Sequence, residues 1–196
     1  VYELANLQSE LHEGGFEDFH LSLNVSPIHI QRFGDASRLV TLMTDQFPNS
    51  DQLVVEFTEG VFLSDTDTTS RVLSLFKEAG IRAAIDDFGT GYSSLSYLTQ
   101  YYFEFLKIDR SFVSRMDENT DDETIVSVIM SMAQQLGMAT IAEGVETVAQ
   151  AHKLKRLGCD IAQGFLYSKP IPANTVADYF KKSTEPADTV TMLADV

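Results

Sequence analysis

Cysteine is nearly missing from these 196 residues, with Cys159 standing alone. A single thiol excludes an internal disulfide and suits a reducing compartment. Its setting, RLGCDIAQG, just past an expected helix end, is that of a small buried apolar residue. Long apolar runs are missing as well. No stretch approaches the roughly 20 residues of a membrane span, and the N-terminus has no basic region followed by an apolar one. The chain therefore reads as soluble, without direct membrane insertion. Basic residues are scarce, 14 against 29 acidic ones, for a formal net charge of -15. Such a surface argues against duplex nucleic acid as a partner. An anionic substrate stays compatible where divalent cations stand between carboxylates and phosphates. The histidines, His12, His20, His29 and His152, lack the spacing of metal ligands, which argues against a zinc site built on them. No glycine-rich dinucleotide fingerprint follows the first expected strand, so an open cofactor-binding sheet loses its best support. No linker or low-complexity segment divides the chain, and its length suits one sizeable core.

What is present is a repeating unit. Short apolar runs rich in β-branched residues recur at HLSLNVS (20–26), QLVVEFTE (52–59), IRAAIDD (81–87), FEFLKID (103–109), ATIAEG (139–144) and DIAQGF (160–165). Between them lie segments with apolar residues at three- and four-residue spacing, such as SRLVTLMTDQF, TSRVLSLFKEAG, ETIVSVIMSMAQQLG and ETVAQAHKLKRLG. Three of these end at Gly80, Gly137 and Gly158, where a left-handed helix cap wants a glycine. Helix, glycine, strand, loop, helix is the order of parallel β/α architecture. The strand runs are close to continuously apolar, as expected when both sheet faces are covered. A (β/α) barrel and an open doubly wound sheet are the two closures compatible with this pattern.

The strand ends carry the chemistry. They are Asn24, Glu56, the pair Asp86 and Asp87, Lys107 with Asp109, Glu143 and Gln163, all polar and each closing an apolar run. In a parallel barrel these ends surround one mouth. Asn, Glu and Asp offer hard oxygens, which suit Mg²⁺ or Mn²⁺. Two adjacent aspartates repel unless cations hold them, and a pair of metals clamps the attacking and leaving oxygens of a phosphoryl centre. The competing reading is that Asp86 or Asp87 caps the next helix. Lys107 has three open roles: orienting a water, neutralising charge on a phosphate oxygen, or abstracting a proton if its pKa is lowered. A salt bridge to neighbouring carboxylates is compatible with each. Glu143 suits a metal shell or proton acceptance, and Gln163 offers a neutral donor and acceptor. Glu146 reads as a helix opener. The segment Gly89 to Ser94 has the composition of a turn beside chemistry.

Read together, NVS (24–26), EFTE (56–59), DDFGTGYSSL (86–95), LKIDRSFV (106–113), AEGVET (142–147) and QGFLYSKP (163–170) resemble the EAL-domain family of bacterial cyclic di-GMP phosphodiesterases, in the family's order. The resemblance implies a (β/α)8 TIM-like barrel that hydrolyses cyclic di-GMP to linear pGpG with Mg²⁺ or Mn²⁺, two ions in all. It implies Asn24, Glu56 and Asp86 as metal ligands and Asp87 as a ligand of the second metal. Lys107 resembles the catalytic lysine, Glu143 the glutamate of the metal and water network, and Gln163 the glutamine that holds the water. Glu59 resembles the glutamate that stabilises the loop after the aspartates, and Phe165 a guanine neighbour. A homodimer, upstream sensory or GGDEF-type domains and a cytoplasmic setting, alone or as part of a larger protein, are implied in the same way. One departure stands out. VYELANLQSELHEGG resembles the helix before the NVS strand, so the family's Glu-Ala-Leu strand, in roughly the opening quarter of such a domain, is not in this sequence. The barrel domain is expected over 1–182, lacking those N-terminal strands, with 183–196 a tail. Two other functions compete: a receptor that binds cyclic di-GMP without turnover, suggested by the absent strand, and a barrel lyase using Lys107 as base against a metal-bound enolate.

Overall fold

The computed structural model describes residues 1–26, 28–30, 36–63, 66–91, 96–117 and 119–182. The expected tail, 183–196, and residues 92–95 of the loop after the aspartates lie outside the described residues. Strands and helices alternate: α1 (Tyr2–Glu13), β1 (Leu21–Asn24), α2 (Ala36–Gln46), β2 (Leu53–Thr58), α3 (Thr66–Glu78), β3 (Arg82–Phe88), α4 (Ser96–Gln100), β4 (Phe105–Ile108), α5 (Arg110–Arg115), α6 (Thr120–Gln135), β5 (Ala139–Ala142), α7 (Val148–Leu157), β6 (Ile161–Ala162) and α8 (Ala173–Lys182). The six strands among the described residues are all parallel, and each pairs with its neighbour in sequence, in the order β1-β2-β3-β4-β5-β6. Sequential order with helical crossovers is the connectivity of a β/α barrel and not of a doubly wound sheet, whose strand order reverses.

The helix ends follow local chemistry. Thr147 caps α7 through a reciprocal pair with Gln150, and Gly158 closes the same helix in the left-handed region at φ 90. Gly80 and Gly137 adopt positive φ after α3 and α6 in the same way. Asn119 caps α6 by accepting from the Asp121 N–H, and three acids, Asp121, Asp122 and Glu123, sit in its first turn.

Strand alternation divides the interior into two layers. Leu53, Val55 and Phe57 on β2, Ala83 and Ile85 on β3, and Leu106 and Ile108 on β4 join the main core beneath the helices. The intervening residues, Val54, Ala84, Phe105 and Ile141, form a second cluster with Ala139 and Ile161 on the inner face of the sheet. Because side chains repeat every second residue, Glu56, Asp86, Lys107, Glu143 and Gln163 each stand two positions beyond a member of that inner layer. The apolar floor thus sets the direction in which the polar strand ends point.

The structure trims the expected strands. DIAQGF contributes two strand residues, Ile161–Ala162, and the chain turns at Gly164. A Cβ there would lie 2.3 Å from both the backbone N and O of Val145, so a side chain would push apart two turns that pack backbone to backbone. Two short helices, α4 and α5, follow β3 and β4 besides the helical segments named from the sequence. At the two ends of the chain, α1 buries Leu4, Leu7 and Leu11, and Phe16 meets Phe180 of α8 edge-on at 5.3 Å between centroids.

Candidate metal and phosphoryl-transfer centre

Strand β3 carries an irregularity at its C-terminal end. Ile85 stands opposite Leu106 and Phe88 opposite Ile108, so Asp86 and Asp87 share the place across from one residue, Lys107. A regular strand would send adjacent side chains to opposite faces; the extra residue of a bulge breaks that alternation. Asp87 takes up the change with φ 54, the left-handed region that aspartate tolerates better than most residues. Both carboxylates thereby reach the same mouth. Ligand oxygens of Asp86, Asp87 and Glu143 all lie within 4.8 Å of one another.

Lys107 occupies the middle of this group. Its Nζ lies 2.5 Å from Glu56 Oε2, 2.7 Å from Glu143 Oε1 and 3.0 Å from Asp86 Oδ1, joining β2, β3, β4 and the end of β5. The lysine is 2 % exposed and Glu56 likewise 2 %. Burial alone would lower the ammonium's pKa, but Glu56, Glu143 and Asp86 outweigh it and hold Lys107 above the ordinary lysine value. Burial also raises Glu143, with Lys107 opposing the shift. Asp87 is raised by burial, then by the charges of Asp86 and Asp109. Four carboxylates share one ammonium here, so three negative charges are left unmatched in a partly buried group. That excess, presented entirely by hard oxygens, fits divalent cations of the magnesium or manganese type.

The remaining sequence-expected residues lie at or just beyond other strand ends. Asn24 ends β1 opposite Glu56 in register, and its side chain is exposed. Gln163, buried, donates its backbone N–H to Ala142 O, and its carbonyl accepts from the Val145 N–H, which fixes it beside Glu143. Glu59 opens the turn after β2; its Oε1 accepts from the Gly89 N–H at 3.2 Å. A Cβ at Gly91 would fall 2.7 Å from Glu59 Oε2, so the loop folds directly onto the carboxylate. Phe165 lies two residues past Gln163 and is 56 % exposed. Asp109, named among the strand ends without a role, caps α5 by accepting from the Ser111 N–H at 2.9 Å and faces Asp87.

A further residue beside the site had no role in the sequence reading. Tyr97 of α4 is buried, stacks on Phe62 at 4.8 Å and faces Glu59, whose charge together with burial raises the phenol's pKa. Its only sequence signal is an aromatic inside a serine-rich run after the aspartates, and 38 positions separate it from Glu59 in the chain.

The EAL domain family matches over residues 2–170. The bifunctional diguanylate cyclase/cyclic di-GMP phosphodiesterase MucR of Pseudomonas aeruginosa is 39% identical over 163 residues, covering 82% of this chain and 24% of MucR. This chain thus spans about a quarter of that relative. The structure of the MucR phosphodiesterase in complex with c-di-GMP superposes with a TM-score of 0.80 at 36% identity, over 89% of this chain and 71% of that one. The manganese and cyclic di-GMP complex of Klebsiella pneumoniae BlrP1 gives 0.73 at 29% identity, over 85% and 44%. The fold is the TIM-like barrel of these neighbours, represented here by six consecutive parallel strands. By its motifs, its fold and the extent of these matches, the chain belongs to the EAL domain family.

Proposed function

We propose that this mouth hydrolyses one phosphodiester bond of cyclic di-GMP, giving linear pGpG, in bacterial second-messenger signalling. The observation that carries the reading is Lys107 ion-paired to Glu56, Asp86 and Glu143, with Asp87 as fourth carboxylate, at the C-terminal end of a parallel sheet. Relatives described as cyclic di-GMP phosphodiesterases, and a neighbour solved with that ligand, support it.

Asn24, Glu56 and Asp86 would hold one Mg²⁺ or Mn²⁺, and Asp87, beside Asp86 and Glu143, would serve a second. Bound divalent ions supply charge to the phosphoryl oxygens and lower the pKa of water. The chain's own groups do the rest. The three N–H donors of Lys107 face three carboxylates, so it acts by fixing those side chains and by placing positive charge near the reacting phosphate. Glu143 stands where a carboxylate can accept a proton from the attacking water, and the Gln163 amide can hold that water on its other side. The water oxygen bonds to phosphorus as one P–O bond to a ribose oxygen breaks. Glu59 anchors the loop that carries Gly89 and Gly91, and Phe165 offers a face to a guanine. The domain is taken as residues 1–182 with 183–196 a tail, acting in the cytoplasm as a homodimer, with sensory or GGDEF-type domains upstream. Among the described residues no helix is long and apolar enough to cross a membrane.

The test is incubation with cyclic di-GMP and Mg²⁺, followed by chromatographic detection of pGpG, with Lys107→Ala and Glu143→Ala alongside. Product from the unsubstituted chain and none from either variant is expected. Ca²⁺ should support binding without turnover. Binding with no pGpG in Mg²⁺ or Mn²⁺ would make the chain a receptor, and no binding would end both readings.

A further inference from the structure

The turns that follow β4, β5 and β6 meet through two glycines whose contacts the hydrolytic chemistry leaves unexplained. Gly144 stands between Glu143 and Val145 at φ 68. A Cβ on it would lie 2.5 Å from Arg110 Cβ and 3.3 Å from Arg110 Cα, at the start of α5. A Cβ on Gly164 would lie 2.3 Å from both the N and the O of Val145. Each turn therefore sits directly on the one before it. Main-chain hydrogen bonds run the same way. The Glu143 N–H donates to Ile108 O, the Gln163 N–H to Ala142 O, the Val145 N–H to Gln163 O and the Leu166 N–H to Val145 O. Val145, at the centre, is wholly buried. Gly137 and Gly158, which close α6 and α7, also have positive φ, 73 and 90, yet a Cβ on either would meet nothing within 4 Å. Positive φ is all that a helix cap requires. Gly144 and Gly164 answer a second demand, the close approach of another stretch of chain. That demand falls beside Glu143 and Gln163, the two side chains assigned to the attacking water.

We propose that these three turns form one clasp, in which Gly144 and Gly164 are positioning residues that set Glu143 against Gln163. Neither glycine has a side chain to offer a ligand. Each acts by letting two turns meet, so the carboxylate and the amide hang from a shared main-chain frame. A methyl group at either place would part the turns and carry the two side chains with them. A displacement of about 1 Å at a reacting group costs about a hundredfold in rate. The inference rests on the phosphodiesterase reading of the same mouth and adds how its water-handling groups are kept in place.

The experiment measures KM and kcat for cyclic di-GMP in Mg²⁺, with melting temperatures alongside. Gly144→Ala and Gly164→Ala should lower kcat about a hundredfold while KM stays within about threefold. Gly137→Ala and Gly158→Ala carry the strain of positive φ without a clash, so they should melt earlier yet keep kcat within about twofold. Combining Gly144→Ala with Arg110→Gly removes the colliding Cβ, and kcat should exceed the product of the two single effects by about tenfold. Equal kcat in the turn and helix-cap variants, or no coupling between positions 110 and 144, overturns the inference and leaves the phosphodiesterase reading standing. Amide exchange of the unsubstituted chain covers a variant that fails to fold. The N–H groups of Glu143, Val145, Gln163 and Leu166 should open as one unit, with protection alike within about threefold, and separate openings would overturn the clasp. An unsubstituted chain that forms no pGpG removes the phosphodiesterase reading, and the exchange measurement then decides the clasp by itself.

Discussion

The two rims of the sheet are both polar, yet they are built on opposite plans. At the rim where strands begin, charged and polar groups answer one another. The Thr140 N–H and hydroxyl donate to Asp160 Oδ2 at 2.8 and 2.9 Å, and Arg82 meets Glu104 at 3.5 Å and His20 at 2.6 Å. Gln52 donates to Glu17 O, while Gln8 donates to Asn49 O and to Gln52 Oε1. At the rim where strands end, four carboxylates crowd one ammonium. The lesson is that polarity alone does not mark a site in a β/α barrel. Satisfied polar groups reinforce the fold, and an unmatched charge of one sign marks where a ligand of the other sign is expected.

The largest effect should come from removing the upper ammonium. Lys107→Met leaves Glu56, Asp86 and Glu143 facing one another with no cation between them. Breaking a buried ion pair from one side costs about 3–5 kcal/mol, and unfolding in EDTA should register a loss of that order. Added Mg²⁺ should recover part of it, while pGpG formation falls by about three orders of magnitude or more. The equivalent change below, Arg82→Met, removes a half-exposed contact and should cost about 1 kcal/mol or less, with turnover retained. Equal losses of stability at both rims, or no recovery with Mg²⁺, would erase the distinction between them.

Asp160→Ala and Asp87→Asn should then move in opposite directions. The first strips an acceptor from two Thr140 donors and should lower stability by about 1–3 kcal/mol without changing the rate of pGpG formation. The second relieves a carboxylate crowded by Asp86 and Asp109, so the metal-free chain should melt at a higher temperature while Mg²⁺ affinity and turnover drop about tenfold or more. A destabilised Asp87→Asn chain in EDTA would show that the upper carboxylates are not in excess.

The same crowding has a pH signature. Asp87 and Glu143 both titrate above the usual carboxylate range when folded. Between the unfolded value and the raised folded one, the native chain binds more protons than the unfolded chain. Stability contributed by these two groups is therefore greatest at low pH and declines as pH rises through that window. In EDTA, the difference in melting temperature between Asp87→Asn and the unsubstituted chain should widen from about pH 4 to pH 7 and should shrink again with Mg²⁺. A difference constant across that range would contradict the sign.

Much of this was legible in the amino-acid order, and what was not has a physical cause. Six apolar runs and three cap glycines announced sequential strands and helices, since both signals are local. The strand-end residues were also visible, because each interrupts an apolar run. Which strand ends share a face follows from the two-residue repeat that links Val54 to Glu56 and Phe105 to Lys107. That repeat carries Ala84 to Asp86 and fails at Asp87, where a bulge and a left-handed residue replace it. The collapse of three carboxylates onto Lys107 depends on register between strands whose sequences are tens of residues apart, and no local pattern encodes it. Likewise, the seating of Gly144 on Arg110 appears only once the turns after β4 and β5 are built.

The smallest predicted effect probes how the upper rim is supported. Glu59 is 8 % exposed, accepts from the Gly89 N–H, lies against Gly91 and faces the Tyr97 hydroxyl. Tyr97→Phe keeps the stack on Phe62 and removes only the polar tip, so the fold should lose about 1 kcal/mol. Were Tyr97 mere packing, Mg²⁺ dependence would be unchanged. If instead it holds Glu59 under the loop that follows the paired aspartates, the Mg²⁺ concentration for half-maximal turnover should rise a few-fold, with a smaller change in kcat. Among the described residues of the lower rim, the Asp160 carboxylate answers its Thr140 donors directly, without a loop between the support and a ligand. A Tyr97→Phe chain with unaltered Mg²⁺ dependence would confine the aromatic cluster to a packing role and reduce the support of the upper rim to Glu59 alone.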